Sequence, residues 1–214
     1  MKPVDLMIFD LDGTLVTSGK DIAASVNHAL ISMDFPAIEE RVILGYIGDG
    51  VKKLIERSLG PSAHDRFEEA LTLFSRHYDE HMIDTTALYK GVAEVLRHFQ
   101  NKKKVILTNK RHRFAVAMCN ALELTQYFED ILGGDSLPYN KPDARLANLL
   151  LRRFDVRPDR TVIVGDGVND IIMAKHASVW SCACLNGLSD REALLKLQPD
   201  YSCEHLSEIT GFFC

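Results

Sequence analysis

The sequence predicts an α/β protein in which an α-helical cap domain is inserted into a doubly wound parallel sheet. Three observations predict this class. Apolar runs recur without polar alternation, as in strands that helices cover on both faces. Helical patterns of about ten residues separate most of these runs, which is typical of parallel strands joined by crossover helices. A helical stretch of about 65 residues, from Lys20 to Asp84, has no strand pattern and is too long for a crossover.

The predicted elements alternate along the chain. Strands are predicted at Val4 to Phe9, Val105 to Thr108, Thr161 to Val164 and Val179 to Cys184, with weaker strands near Ile131 and Tyr201. Helices are predicted at Val92 to Phe99, Phe114 to Leu122, Ala144 to Phe154 and Ile171 to Ala177. We therefore assign residues 1–17 and 85–214 to a Rossmann-like α/β core and residues 18–84 to a helical cap.

The composition predicts a cytoplasmic globular protein. Of 214 residues, 46% are hydrophobic and 26% are charged, which suffices for one sizeable core and a smaller attached one. The net charge of -5 arises from interspersed charges, which argues against a nucleic-acid surface. Neither a membrane-length apolar stretch nor a leader pattern is found. The five cysteines form no Cys-x-x-Cys pair and the eight histidines no cluster, so no zinc or redox site is predicted.

The first predicted strand ends in two aspartates, Asp10 and Asp12. Residues two apart in a strand point to the same side, and ligands of parallel sheets bind beyond the carboxyl ends of the strands. One carboxylate can act as nucleophile and metal ligand while the other exchanges a proton with the reacting oxygen. Gly13 permits a sharp turn after the pair. A calcium loop is disfavoured because Leu15 and Asp21 stand where it needs Gly and Glu.

The second predicted strand leads into Thr108 and Asn109, whose side chains can donate hydrogen bonds to a phosphoryl oxygen. Thr-Asn is also a common helix cap, so this alternative stays open. Further along, Lys141 and Pro142 precede a predicted helix, where the lysine can supply a point charge. A solvated surface lysine is the alternative.

The strand Thr161 to Val164 leads into Gly165-Asp166-Gly167, with Asp170 four residues after Asp166. This spacing can place Asp166 on a metal ion and Asp170 behind it. A plain acidic turn is the alternative interpretation. A dinucleotide-binding loop is disfavoured because Asp170 stands where its third glycine is required, and Gly48-x-Gly50 fails similarly.

Taken in this order and with a helical insert after the first group, these segments resemble the motifs of the haloacid dehalogenase-like superfamily of phosphotransferases. Asp10 to Leu15 is similar to its first motif and Thr108 to its second. Lys141-Pro142 is similar to the third motif, and Gly165-Asp166 with Asp170 to the fourth. The resemblance covers nearly the whole chain.

The resemblance implies an aspartyl-phosphate mechanism that requires Mg²⁺. It makes Asp10 the nucleophile, and it makes Asp12 the acid that protonates the leaving alkoxide and the base that then activates water. The Mg²⁺ ligands it implies are Asp10, the backbone carbonyl of Asp12, and Asp166. Asp170 would support that metal site or the Lys141 ammonium. The groups that would hold the transferring phosphoryl oxygens are Thr108, Asn109 and Lys141.

Two further segments, Leu44 to Val51 and Tyr89 to Val92, resemble the phosphoglycolate phosphatase-like branch. Thr17 and Ala144 depart from it, because the branch often has Asp and Pro at these positions. The cap loop Gly48-Asp49-Gly50, or Lys52 beside it, could contact the outer part of a substrate. We therefore expect a small phosphomonoester such as 2-phosphoglycolate as the ligand, no nucleic-acid or membrane partner, and a monomer or a homodimer.

Other activities remain open at this level. A phosphomutase or a pyrophosphatase of the same superfamily shares these motifs. A dehalogenase would lack the acid at Asp12, and a phosphonate hydrolase needs a Schiff-base lysine in the cap, for which Lys52 and Lys53 are candidates. The non-enzyme alternative is a phospho-receiver signalling domain. Its phosphoacceptor, however, follows the third strand, and it has no large insert after the first.

Overall fold

The computed structural model describes residues 1–214, except for the side chain of Ser62. The strands are β1 Leu6–Phe9, β2 Lys103–Leu107, β3 Asp130–Leu132, β4 Thr161–Gly165, β5 Trp180–Cys184 and β6 Tyr201–Cys203. The helices are α1 Gly19–Ser32, α2 Glu40–Leu44, α3 Val51–Leu59, α4 Phe67–His81, α5 Val92–His98, α6 His112–Ala121, α7 Ala144–Phe154, α8 Val168–Ala177, α9 Arg191–Lys196 and α10 Ile209–Phe212.

The six strands form one parallel sheet in the order β3-β2-β1-β4-β5-β6. This confirms the predicted α/β fold class. The strand order reverses between β1 and β4, which pair with Phe9 opposite Val164. At such a reversal the crossover helices leave toward opposite faces of the sheet, so a crevice opens beyond the carboxyl ends of the two strands. The candidate carboxylates follow these same two strands.

Helices cover both faces of β1, as the unbroken apolar run predicts. Met7 and Phe9 belong to one buried cluster, whereas Leu6 and Ile8 belong to a second cluster on the opposite face. The second cluster includes Leu150 from α7. Each of these strand residues is at most 1% exposed, so β1 contributes no solvent-facing side.

Several predicted boundaries were wrong by a few residues. The first strand begins at Leu6 because the N–H of Val4 bonds to the carbonyl of Cys214 instead of joining the ladder. The second strand begins earlier, at Lys103, and ends before Thr108. Helices α6 and α8 begin before the apolar residues that predicted them, whereas α7 has the predicted bounds. The short helices α9 and α10 were not predicted.

The chain between β1 and β2 contains α1 to α4 before α5 leads back to the sheet, and no strand among its described residues. Helices α1 and α4 pack against each other. The two chain segments that join this block to the sheet lie side by side, because Thr17 N–H bonds to Ala87 O and Tyr89 N–H bonds to Leu15 O. Asp21 ties the same connection together by accepting hydrogen bonds from Thr85 and Thr86.

Among the described residues, no helix is both long and apolar enough to cross a membrane. All five cysteines are free, and four of them are buried.

Candidate active site

The site lies where β1, β2 and β4 end. Asp10 directly follows β1, Thr108 follows β2, and Asp166 follows β4. All three residues are buried. The parallel sheet therefore collects at one edge the groups that the sequence spreads over more than 150 residues.

Lys141 lies between two of the carboxylates. Its Nζ is 2.8 Å from Oδ1 of Asp10 and 2.8 Å from Oδ1 of Asp170, and its side chain is 2% exposed. Burial alone would lower the pKa of Lys141, but the two carboxylates outweigh burial and raise that pKa above its usual value. The residue is therefore a buried, permanently charged ammonium beside the predicted nucleophile.

Asp10 is held through one carboxylate oxygen. The N–H of Leu11 donates to Oδ1 at 2.7 Å, and the Lys141 contact reaches the same atom. Within the described part of the chain, the other oxygen, Oδ2, has no hydrogen-bond or ion-pair partner. Asp10 also lines a cavity, so Oδ2 is the atom that a ligand in the cavity can meet.

Asp166 is enclosed by hydrogen-bond donors. The Thr14 hydroxyl donates to its Oδ1 at 2.8 Å, and Leu188 N–H donates to its Oδ2 at 2.7 Å. A Cβ on Gly13, whose φ is +84°, would lie 2.1 Å from Oδ2, so only glycine fits this turn. Burial, with the negative charge of Asp10, raises the pKa of Asp166 to about 7. An additional cation here would stabilise the ionised form.

The charges of this cluster fit a divalent metal ion. Asp10, Asp166 and Asp170 are buried, and Lys141 is the one ammonium that contacts any of them among the described side chains. Burial raises the pKa of Asp170 to about 8 although Lys141 opposes this shift. Within the same residues, no group of three or more His, Cys, Asp or Glu side chains converges as a metal cage. Mg²⁺ typically uses one or two carboxylates and completes its shell with water and substrate oxygens.

Asp12 has partners that the sequence did not indicate. The Lys110 ammonium lies 2.8 Å and 3.0 Å from its two oxygens, and the Ser18 hydroxyl donates to Oδ1. Lys110 also contacts the Tyr78 hydroxyl of α4 at 2.7 Å. Mainly because of burial, the pKa of Tyr78 is raised to about 12. Lys110 follows Thr108 by two residues at the strand end, and this proximity was the available sequence signal.

Asn109 lies in the site, but its side chain is already engaged. Its amide donates to the carbonyls of Gly48 at 2.8 Å and Lys141 at 3.2 Å, and its carbonyl accepts from Lys141 N–H at 3.0 Å. Both amide N–H groups are therefore used to join segments of the site. The Thr108 hydroxyl accepts from Lys110 N–H at 3.3 Å, and its own proton stays available to a ligand.

The four predicted cap residues separate into two groups. Gly48 and Gly50 line the cavity, and a Cβ on Gly50 would lie 3.1 Å from Asn109 O. Asp49 instead forms an ion pair with Arg57 and accepts a hydrogen bond of 2.8 Å from Asn169. Lys52 is exposed and does not line the cavity. The loop therefore contacts the strand ends mainly through its backbone and Asp49.

The cavity has a volume of about 60 Å³ and lies between Asp10, Asp12 and the helices α1, α3, α4 and α6. Most of its wall is apolar, with side chains such as Leu54 and Phe74. Arg111, which the sequence analysis did not single out, also lines it. The space is suited to a small ligand.

Comparisons with known proteins agree with this geometry. Residues 7–184 match the family model described as haloacid dehalogenase-like hydrolase. Phosphoglycolate phosphatase from Vibrio parahaemolyticus is 31% identical over 96% of this chain and 94% of its own, and phosphoglycolate phosphatase 1 from Pseudomonas aeruginosa is 32% identical over 95% and 78%. A crystal structure of a predicted phosphoglycolate phosphatase from Haemophilus somnus superposes with a TM-score of 0.94 at 28% identity, covering 98% and 97% of the two chains. The matches indicate a phosphatase. The chain belongs to the haloacid dehalogenase-like hydrolase family.

Proposed function

We propose that this protein is a Mg²⁺-dependent phosphomonoester hydrolase that acts through an aspartyl-phosphate intermediate, with 2-phosphoglycolate as its substrate. The observation that carries the mechanism is the asymmetry of Asp10. Lys141 and Leu11 N–H hold Oδ1, while Oδ2 has no partner within the described residues and its side chain lines the cavity. A carboxylate fixed in this way is oriented for attack by its second oxygen.

In the first step, Oδ2 of Asp10 forms a bond to phosphorus while the bond from phosphorus to the ester oxygen breaks. Asp12 gives a proton to that oxygen, so the leaving group departs as an alcohol. In the second step, Asp12 takes a proton from a water molecule that attacks the aspartyl phosphate. Free phosphate leaves and the Asp10 carboxylate is restored. Lys110 and Ser18 orient Asp12 for both transfers.

The remaining residues stabilise charge on the phosphoryl group. Lys141 and the Thr108 hydroxyl favour the negative charge that the transferring oxygens carry. Asp10, Asp166 and the backbone carbonyl of Asp12 would hold Mg²⁺, which supplies positive charge next to these oxygens. In our proposal Asp170 acts through Lys141, because it contacts the ammonium at 2.8 Å. Asn109 positions the segments around the phosphoryl site through its amide.

We also propose that residues 18–84 form a cap and that residues 1–17 and 85–214 form the catalytic core. Support comes from the paired connections at Leu15 to Thr17 and Ala87 to Tyr89. The loop at Gly48 reaches the strand ends through Asn109, and Asp49 reaches them through Asn169. A block attached by two short segments and docked by its loop can exclude bulk water from the reaction.

The choice of 2-phosphoglycolate rests on the names of the relatives and on the small volume of the cavity. A phosphomutase or a pyrophosphatase would need to accommodate a sugar phosphate or a diphosphate in the same space. We further expect no nucleic-acid or membrane partner, a cytoplasmic location, which the free cysteines support, and a monomer or a homodimer.

The test is to measure kcat/KM for 2-phosphoglycolate, glucose phosphates and pyrophosphate with Mg²⁺ and with excess chelator. We expect 2-phosphoglycolate to lead by tenfold or more and activity to disappear with chelator. Asp10→Asn should retain under a few per cent of activity, whereas Asp34→Asn, at an exposed aspartate outside the cavity, should retain all of it. A tenfold preference for either rival substrate would refute the substrate proposal.

The acid role and the base role of Asp12 can be measured separately by choosing a leaving group that needs no proton. p-Nitrophenolate departs without a proton, so Asp12→Ala should still form the phosphoenzyme from p-nitrophenyl phosphate. Its hydrolysis should slow by about 10²- to 10⁴-fold, which gives a burst of one nitrophenolate per enzyme. Mass spectrometry should then find the phosphoryl group on Asp10. Steady turnover at the wild-type rate without a burst would contradict the proposed base.

A further inference from the structure

The cavity contains two cationic residues, and one of them is fully engaged. An ammonium has three N–H donors. Those of Lys110 are matched by the two oxygens of Asp12 and by the Tyr78 hydroxyl, all at 2.7 to 3.0 Å. Lys110 therefore has no donor left for the organic part of a substrate.

Arg111 differs from Lys110 in this respect. It lines the cavity directly before α6 and is half-buried. Among the described residues, its guanidinium has no ion-pair or hydrogen-bond partner. A guanidinium offers five N–H donors in a planar arrangement that matches a carboxylate in a bidentate geometry.

Most other side chains of the wall are apolar and offer no donor to an organic anion. Ile22, Leu54, Phe74 and Phe114 are all at most 5% exposed and present apolar side chains to the cavity. A carboxylate buried against such side chains without a partner loses its hydration at a cost of several kcal/mol. Among the described side chains that line the cavity, Arg111 is therefore the cation with free donors for a negative charge on the organic part of the substrate.

We propose that Arg111 binds the carboxylate of the substrate and thereby determines specificity for phosphomonoesters of small organic acids. This inference rests on the proposed phosphatase function, because it concerns the organic part of a substrate whose phosphoryl group is at Asp10. It also changes the candidate for this role. The sequence favoured Lys52 or the loop amides, but Lys52 is exposed and outside the cavity wall.

The experiment compares 2-phosphoglycolate with 2-phosphoglycolamide, an uncharged molecule of nearly the same shape. We expect wild-type kcat/KM to favour the carboxylate by at least 30-fold, or about 2 kcal/mol at 1.4 kcal/mol per factor of ten. Arg111→Met should lose most of this preference by losing activity on the carboxylate, while its activity on the amide stays within about threefold. Arg111→Lys should recover part of the preference because it keeps the charge but not the bidentate geometry.

Arg113→Met is the matched control. Arg113 lies two residues away in α6, is exposed, and forms a surface ion pair with Asp79 at 3.6 Å. We expect it to leave the preference unchanged. Equal losses on both substrates in Arg111→Met would overturn the proposal, since they would assign Arg111 to the phosphoryl group or to the fold. An unchanged preference, or its loss in Lys52→Met instead, would also overturn it.

Binding to Asp10→Asn provides a readout that needs no turnover. Calorimetric titration of this variant with the two molecules should show the same preference, and the added Arg111→Met change should remove it. If the wild type hydrolyses neither molecule but Asp10→Asn binds the carboxylate through Arg111, the proposed function fails and this inference stands. If wild-type hydrolysis is normal and the binding preference survives Arg111→Met, only this inference fails.

Discussion

Replacing Lys141 by Met tests the central electrostatic feature of the site. The ammonium is the ion-pair partner of two buried carboxylates, Asp10 and Asp170, each at 2.8 Å. Methionine has a similar length and no charge, so the change leaves both carboxylates without their cation. Removing one partner of a buried ion pair typically costs about 3–5 kcal/mol, because the remaining charge stays desolvated. We expect the free energy of unfolding to fall by at least this amount at pH 8 without metal.

The second variant distinguishes charge from packing. Asp170→Asn added to Lys141→Met removes one of the two unpaired carboxylates, so the double variant should recover about 1–3 kcal/mol. Urea denaturation followed by far-UV circular dichroism measures both changes. Activity should fall by about 10²- to 10³-fold in both variants, since the phosphoryl site loses its ammonium in each.

Two results would refute this reasoning. Wild-type stability in Lys141→Met would show that the carboxylates are not held by the ammonium. A double variant no more stable than Lys141→Met would show that the loss comes from packing and not from unpaired charge. The variant Lys141→Arg, which keeps the charge, should lose less stability than Lys141→Met.

Three further variants test the surroundings of the site. Gly13→Ala should lower the free energy of unfolding by about 1–2 kcal/mol from its backbone alone, since φ is +84°. In urea denaturation Gly211→Ala should instead raise it slightly, because Gly211 lies in α10, alanine is the better helix former, and no atom lies within 4 Å of the added Cβ. Asp21→Ala should cost about 2–3 kcal/mol at pH 7. Burial raises the pKa of Asp21, but its hydrogen bonds from Thr85 and Thr86 outweigh burial, so the net effect is a pKa below the unfolded value of 3.8. The stabilisation by Asp21 is therefore fully present above pH 3.8 and decreases as the pH falls below that value, so denaturation at pH 3 should show a smaller cost of the substitution. Tyr78→Phe should cost about 1 kcal/mol, measured in the same way, because Lys110 loses one partner.

The sheet could be predicted because its signals are local. An apolar run such as Leu6 to Phe9 indicates a strand buried on both faces, and a helical period indicates the element that covers it. Terminal residues were harder to predict, because they depend on partners that are distant in the sequence. Val4 is the example, since it bonds to Cys214 at the other end of the chain.

The candidate site was predicted as a set of positions and not as a set of contacts. Parallel strands place their carboxyl ends at one edge, so the residues after β1, β2 and β4 had to be neighbours. The orientation of Asn109 did not follow from that rule. Its amide donates to the carbonyls of Gly48 and Lys141, and the Gly48 carbonyl lies nearby because the loop between α2 and α3 docks on the strand ends.

The sequence by itself determined the fold class, and it predicted the carboxylates and the lysine that the structure brings together at one edge of the sheet. Only the tertiary structure decided which charges pair. Lys110 binds Asp12 across 98 residues, and it reaches Tyr78 across 32 residues because α4 packs over the strand ends. The hydrophobic periodicity of a segment indicates how the element is buried. The partner of a charged side chain depends instead on distances in three dimensions. These distances leave Arg111 without a protein partner among the described residues and engage Lys110 completely.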